Sequence, residues 1–212
     1  MSRSFKLGPA TGRSLAVMTT GSATTRISDL LAAAAGRAVP VVRGIGDDQF
    51  AAPTPCAGYD VRDLLNHLFH MVVGFTVRAA KQDFDFTTTP DRLQPNWRDR
   101  FAQETGRLVR AWAAPGAEEG ESGPMRMPAS TVGRLILLDL TVHPWDLARA
   151  TGQEFTPAEE CVRDLVPHVA QTAPMARQWK VFGEPVPVPA GASGFARLLG
   201  LTGRDPHWRP PR

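Results

Sequence analysis

The chain has 212 residues, of which 42% are hydrophobic, and its 24 basic and 21 acidic residues give a net charge of +3. This length suits one domain with a substantial core, and the even spread of basic residues excludes the dense positive patches of nucleic-acid-binding or membrane-surface proteins. No apolar run approaches the roughly 20 residues of a membrane span, and Cys56 and Cys161 form no CxxC pair, which favours a cytoplasmic protein without a disulfide framework.

Residues 1–27 differ in composition from the rest of the chain. They carry four basic residues and no acidic residue, among many serines, threonines and glycines. This composition predicts a disordered leader rather than a targeting signal, and translation starting at Met18 is a second ordinary explanation. The predicted domain therefore covers residues 28–212.

Four long helical segments are predicted from this point onward. The first has Ser28 as its N-cap and meets Pro40, which should kink it or end its first part. The second follows Asp60, with Asp63 completing an approximate capping box. Two more are "NWRDRFAQETGRLVRAWAA" and "STVGRLILLDLTVHPWDLARATG", the latter ending at Gly152. Four helices with short to moderate connections predict an all-α four-helix bundle.

A helical and extended C-terminal extension is predicted to follow the bundle and to pack on it. Thr156 and Pro157 should begin the next helix as its N-cap and first residue. "FGEPVPVP" must be extended because its prolines forbid a helix, and "GFARLLGLTG" predicts a short closing helix that ends at Gly203. The extension holds too few apolar residues to form a core of its own.

Two polar residues interrupt the apolar stripe of the fourth helix. Asp139 and His143 are four residues apart, so they lie one above the other in the middle of that stripe. An ionised carboxylate there is costly unless something pairs with it. The two residues could satisfy each other, or Arg134 or another arginine could pair with Asp139. Alternatively they form half of a metal site, for which inward ligands at i and i+4 are a standard arrangement.

A third ligand is expected from a facing helix. On the second helix His67 lies at the border of the apolar stripe, whereas His70 should face outward, either in solvent or as a residue that supports a ligand. His67 is therefore the better inward candidate, although an ordinary boundary histidine would occupy the same position.

Four residues have both a functional and a structural explanation, and a fifth has a functional one. Cys56 precedes a helix N-terminus, which would stabilise a thiolate, but a small cysteine that packs the loop is the favoured interpretation. Asp146 could orient a ligand histidine or cap a helical segment. Arg149 and Arg62 could hold an acidic substrate or be solvated, and Asn66 could hydrogen-bond near a metal.

The stretches "PTPCAGYDVRDLLNHL", "LLDLTVHPWDLARATG", "FGEPVPVP" and "LLGLTGRDPHW" resemble successive landmarks of an actinobacterial family of metal-binding proteins. That family is related to the mycothiol-dependent maleylpyruvate isomerases and belongs to the DinB-like superfamily. The resemblance covers about residues 28 to 210 and implies a DinB-like bundle with a divalent metal, usually zinc, in its core. In that family the ligands are a histidine of the "NHL" motif and an E/D-x-x-x-H pair, which map onto His67, Asp139 and His143.

Two features depart from the isomerases. They typically have glutamate at the position of Asp139, whose side chain is shorter by one methylene. Pro144 directly follows His143 and disfavours the α conformation there, so the helix should bend or restart at that point. Both departures affect the geometry of the site, and neither removes a type of ligand.

Three protein ligands would leave a fourth tetrahedral position open, as in a catalytic zinc site. For the isomerase relatives the implied chemistry is attack by the metal-activated thiol of mycothiol on an electrophilic substrate, and transfer and isomerisation both fit. The expected cofactors are a divalent metal, zinc first, and mycothiol. The expected partners are a small-molecule thiol and an electrophilic substrate, with no nucleic acid and no membrane, and a homodimer is left open.

Two alternatives to an enzyme remain at the level of sequence. One is a non-catalytic metal-binding or stress-related bundle protein, and the other is a metal-free helical adaptor. A metalloprotease is disfavoured because the HExxH motif is absent.

Overall fold

The computed structural model describes residues 25–211, and most of them are helical. The helices are α1 Ile27–Arg43, α2 Val61–Ala79, α3 Trp97–Ala113, α4 Ala129–Thr151, α5 Glu159–Gln178 and α6 Gly194–Leu201. A two-stranded antiparallel hairpin, β1 Glu121–Ser122 and β2 Met127–Pro128, precedes α4. The predicted leader falls almost wholly on residues 1–24, outside the described residues.

The helices α1 to α4 form the predicted four-helix bundle. Both α1 and α2 pack against α3 and α4, so α1 and α2 face each other across one diagonal of the bundle. The core draws large apolar side chains from all four helices, among them Leu31, Leu68, Trp112 and Leu140, and their removal from water stabilises the bundle. The all-α fold class is therefore confirmed. Within residues 25–211, no helix combines the length and the apolar character that crossing a bilayer requires.

The first helix differs from its prediction at its N-terminal end. It begins at Ile27 with Arg26 at the N-cap, so Ser28 lies inside the first turn and is buried. It also continues through Pro40 to Arg43. Proline removes one backbone hydrogen bond, but the residues that follow it are buried in the core, and their burial holds the last turn in place.

Other predicted helix ends agree with the structure, with one exception. The side chain of Asp60 accepts a hydrogen bond from the backbone N–H of Asp63 at 2.8 Å and caps α2. Gly152 follows α4 in the left-handed conformation, at φ 72°. The exception is α5, which begins at Glu159, so Thr156 is not its N-cap.

The C-terminal extension, residues 153–211, packs on the bundle. Its helix α5 contacts α1 and α4, and α6 packs on α5. The thiol of Cys161 donates to the carbonyl of Leu30 at 3.2 Å. Arg134 of α4 forms a two-pronged ion pair with Asp164 of α5, at 2.9 and 3.0 Å. Polar contacts thus supplement the apolar packing between the extension and the bundle.

Candidate metal centre

Two neighbouring helices bring His67, Asp139 and His143 together. His67 comes from α2, and the other two residues lie one turn apart on α4. One potential ligand atom from each residue lies within 4.8 Å of the other two. The imidazole rings of His67 and His143 have centroids 5.3 Å apart. Two imidazoles and one carboxylate in this arrangement form a donor set that suits a divalent cation.

The continuity of α4 keeps the two α4 residues on one face. The helix runs unbroken past Pro144, so of the predicted bend or restart at that residue, the restart is wrong. Proline removes one hydrogen bond of the helix, but Leu140 and Leu147 are buried on either side of it. Their packing holds the helix through the proline, and Asp139 and His143 keep their spacing of one turn.

Burial favours the neutral form of His67. Its pKa lies below the usual value because burial disfavours the charged imidazolium, although the nearby carboxylate of Asp139 opposes the shift. A neutral imidazole has the free lone pair that a metal ligand needs. His67 is therefore in the right protonation state for a ligand near neutral pH.

A second carboxylate, that of Asp146, hydrogen-bonds to the ring nitrogen of His143 that faces away from Asp139. Asp146 is completely buried, and its Oδ2 lies 3.0 Å from Nδ1 of His143. The guanidinium of Arg204 donates to the same carboxylate, with Nη2 3.1 Å from Oδ2. A carboxylate paired with arginine accepts hydrogen bonds, so Nδ1–H of His143 donates to Asp146, and Nε2 is the ring nitrogen that faces Asp139.

The alternative partners considered for Asp139 do not form close pairs with it. Its Oδ1 lies 3.7 Å from Nε2 of His143, which is too far for a hydrogen bond. Arg134 pairs with Asp164 instead. Among residues 25–211, no arginine forms an ion pair with Asp139. Its carboxylate therefore faces the two imidazoles, and its nearest basic atom is Nε2 of His143 at 3.7 Å.

Comparison with known proteins places the chain in a family. The sequence model of the mycothiol maleylpyruvate isomerase N-terminal domain matches residues 31–148, more than half of the chain. The chain belongs to this family. The match confirms the resemblance carried by the sequence motifs and is consistent with the DinB-like superfamily. The matched region includes all three residues of the candidate centre.

Similar proteins include two uncharacterised proteins of Mycobacterium tuberculosis, one from strain CDC 1551 / Oshkosh and one from strain ATCC 25618 / H37Rv. Each is 30% identical to this chain over 169 residues, covering 74% of this chain and 86% of the relative. Among solved structures, a mycothiol-dependent maleylpyruvate isomerase matches with a TM-score of 0.47 and 15% identity, over 69% of this chain and 72% of that one.

The prediction that His70 faces solvent is wrong in this family member. His70 is only 2% exposed. Its Nδ1 accepts a hydrogen bond from Nε of Arg92 at 3.2 Å, and its ring lies 5.0 Å from that of Phe84. The loop between α2 and α3 folds back over this face of α2. Helical periodicity could not reveal the burial, because the covering residues come from a loop.

The side chain of Asn66 hydrogen-bonds to the backbone of the same loop and is not directed at the candidate centre. Its Nδ2 donates to the carbonyl of Pro90 at 3.0 Å, and its Oδ1 accepts from the backbone N–H of Arg92 at 2.7 Å. The two arginines that could hold an acidic substrate are also engaged elsewhere. Arg62 pairs with Asp91, and Arg149 donates to the carbonyl of residue 208.

Cys56 lies beside the centre as a protonated thiol. Its Sγ accepts a hydrogen bond from Nη2 of Arg204 at 3.3 Å. Burial raises the pKa of the thiol to about 11, and this outweighs the stabilising charge of the arginine. The structure therefore favours the packing interpretation of Cys56 over the thiolate.

Arg204 is the residue near the site that sequence reasoning missed. It follows α6 in a segment where a charged residue is ordinarily solvated. No local pattern in "TGRDPHW" indicates that its side chain turns inward and reaches α4.

Proposed function

We propose that this chain is a metal-dependent enzyme of thiol chemistry, with mycothiol as its thiol. His67, Asp139 and His143 would hold the metal, most readily zinc. The observation that carries the proposal is the convergence of these three side chains from α2 and α4, with ligand atoms within 4.8 Å of one another. Membership of a family described as mycothiol maleylpyruvate isomerase N-terminal domain supports the choice of thiol.

The three side chains fit zinc by their chemistry. Zinc takes histidine nitrogen and aspartate oxygen, and three protein ligands are typical of catalytic sites. When bound there, a divalent cation would lower the pKa of a thiol or water at its remaining position, so that the nucleophile is ionised near neutral pH. The carboxylate of Asp139 would offset part of the cation's charge.

The surrounding residues keep these ligands in the required state. Burial holds His67 neutral, and Asp146 keeps the proton of His143 on Nδ1, 3.0 Å away. Tyr59 lies against His67, with ring centroids 5.6 Å apart, and is 38% exposed. Its ring would therefore border the path by which a small molecule reaches the centre.

The state of Cys56 favours a thiol supplied from outside the chain. In the metal-free chain burial raises the pKa of Cys56 to about 11, so its thiol is protonated there and is a poor nucleophile. Cys161 is buried against α1. An external thiol attacking an electrophilic small molecule is therefore the proposed reaction class, which includes isomerisation and group transfer.

Calorimetric titration of metal-depleted protein with zinc tests the metal part of the proposal. We expect about one zinc per chain for the wild type and strongly weakened binding for His67→Ala. His168→Ala is the matched control, because this histidine is also half-buried but lies on α5. Equal binding by wild type and His67→Ala would refute the ligand assignment.

Addition of mycothiol to the zinc-loaded protein tests the thiol part. We expect mycothiol to bind the zinc-loaded protein and not the metal-free protein, with glutathione as the control thiol. Zinc binding without any response to mycothiol would instead favour the non-catalytic metal-binding protein.

A further inference from the structure

A buried arginine of the C-terminal extension reaches the back of the candidate centre. Arg204 is 8% exposed, and its Nε and Nη2 lie 3.3 and 3.1 Å from Oδ2 of Asp146. Its Nη1 donates to the carbonyl of Thr202 at 3.0 Å, and Nη2 also contacts Sγ of Cys56 at 3.3 Å. The guanidinium is thus fixed from several sides. It gives the fully buried carboxylate of Asp146 the counter-charge that burial requires.

Asp146 connects this arginine to a proposed metal ligand. Its Oδ2 lies 3.0 Å from Nδ1 of His143. The other ring nitrogen, Nε2, is the atom that lies 3.7 Å from Oδ1 of Asp139. The imidazole therefore presents its two nitrogens to different carboxylates. Histidines that ligate metals commonly donate their second N–H to a carboxylate, which fixes the tautomer and the ring orientation.

The backbone before Arg204 has a conformation that aims the side chain inward. Gly203 has φ +83°, and a Cβ at this position would lie 2.8 Å from Cα of Gly183. The backbone N–H of Arg204 donates to the carbonyl of Leu199 at 2.9 Å. The end of α6 and the segment around Gly183 thus place Arg204 in one position.

We infer that Arg204 is a positioning residue of the metal centre. It holds the carboxylate of Asp146 in place, and Asp146 in turn fixes the Nδ1–H tautomer and the orientation of His143. The C-terminal extension is then part of the centre, although the matched family region ends at residue 148. The expected effect on metal affinity rests on the proposed function, whereas the effect on the tautomer rests only on contacts within this chain.

Zinc titration of metal-depleted variants tests the effect on affinity. We expect Arg204→Met to raise the Kd for zinc about 10- to 100-fold, the usual effect of losing a residue that supports a ligand. Arg134→Met is the matched control, because it also removes a two-pronged ion pair between α4 and the extension. Its Kd should match that of the wild type. An equal loss in both variants would overturn the inference, since the arginine would then act only as an anchor.

A double variant tests whether Arg204 acts through Asp146. Asp146→Asn should weaken zinc binding at least as much as Arg204→Met does. Adding Arg204→Met to Asp146→Asn should cause little further loss of zinc affinity, because the effects of substitutions within one hydrogen-bond network are not additive. Independent, multiplying losses would overturn the proposed connection.

Nitrogen NMR of the histidine rings in metal-free protein at about pH 8 provides a readout that needs no metal. We expect His143 to be protonated on Nδ1 in the wild type and in Arg134→Met, and to populate both tautomers in Arg204→Met. A wild type that binds no zinc but has this tautomer pattern would refute the proposed function and uphold the positioning role. An unchanged tautomer and an unchanged Kd in Arg204→Met would overturn the positioning role alone.

Circular dichroism establishes that the variants are folded. If Arg204→Met does not fold, Arg204→Lys replaces it in both measurements, because lysine keeps the positive charge but cannot reproduce the paired contacts of the guanidinium. We expect a smaller rise in Kd and partial retention of the Nδ1–H tautomer. A wild-type Kd and a wild-type tautomer in Arg204→Lys would show that the guanidinium is not required, and would overturn the inference.

Discussion

Asp139 is the residue on which the metal assignment depends most directly. Its side chain is 24% exposed and its nearest charged partner is His143, at 3.7 Å. A partly buried carboxylate without a close counter-charge is unfavourable in the metal-free protein. A divalent cation would remove this cost, and we expect the metal-bound protein to be more stable than the metal-free protein.

Substitution of Asp139 separates a ligand from an ion-pair partner. Asp139→Asn should weaken zinc binding strongly, because a neutral amide attracts the cation less than a carboxylate does. Asp139→Leu should abolish binding but leave the metal-free protein at least as stable as the wild type, since it replaces an unpaired charge with an apolar side chain. Thermal melts with EDTA and with zinc measure both effects. A loss of about 3–5 kcal/mol for Asp139→Leu in EDTA would instead identify a broken buried ion pair.

His70 should make the stability of the metal-free protein depend on pH. Burial and the neighbouring charge of Arg92 hold the pKa of His70 below its usual value. Below about pH 6.5 the unfolded chain therefore takes up a proton that the folded chain resists, so stability falls as the pH is lowered.

Unfolding in urea between pH 8 and pH 5, with EDTA present, measures this dependence. We expect His70→Asn to lose less stability over this range than the wild type does. Burial also lowers the pKa values of His67 and His168, which should account for the remaining slope. The exposed His207 is the control position, and His207→Asn should follow the wild-type curve. A wild-type slope in His70→Asn would contradict the assignment.

Among the elements, α4 and the end of α6 together determine the environment of His143. The helix α4 supplies Asp139, His143 and Asp146 from consecutive turns, and its unbroken course past Pro144 keeps them aligned. The chain after α6 supplies Arg204. Gly203, the residue before Arg204, has a positive φ and lies against Gly183. A side chain at position 203 would therefore be both strained and in contact with the backbone of Gly183.

Gly203→Ala should therefore be destabilising and should also weaken zinc binding. Its φ is +83°, and the added Cβ would lie 2.8 Å from backbone atoms of Gly183. We expect a loss of about 1–2 kcal/mol from the left-handed conformation alone. Gly191→Ala is the control, because a Cβ there meets nothing within 4 Å. Urea unfolding and zinc titration of both variants test this prediction. Equal stability of the two variants would show that position 203 accepts a side chain without strain.

At the scale of the whole molecule, polar contacts join the extension to the bundle at several points. The ion pairs Arg134–Asp164 and Arg204–Asp146 both join α4 to the extension. The thiol of Cys161 donates a hydrogen bond to the backbone of α1. We propose that residues 28–212 form one domain in which the extension depends on the bundle for most of its apolar burial.

An isolated segment of residues 153–212 should consequently not fold by itself. Its helices would lose the apolar surface of α1 and α4 against which α5 packs, and a chain of this size rarely has a sufficient core. We expect a broad, non-cooperative change in circular dichroism on heating, whereas the full chain should melt in a single transition. A cooperative melt of the segment would identify a separate domain.

Sequence alone determined the features that depend on local geometry. Four helices, the cap at Asp60 and the left-handed Gly152 follow from residue spacing and backbone preference. The placement of Asp139 and His143 on one face follows from 3.6 residues per turn. The motifs also indicated the family, and with it the pairing of these two residues with His67.

Only the tertiary structure decided which polar residues are brought together or covered. His67 meets the α4 residues because α2 and α4 are neighbours in the bundle. His70 is buried because a loop folds over it, and Arg204 reaches Asp146 from 58 residues further along the chain. Helical periodicity assigns each side chain to a face of its own helix. It contains no information about what packs on that face, since burial is set by contacts between residues distant in the chain.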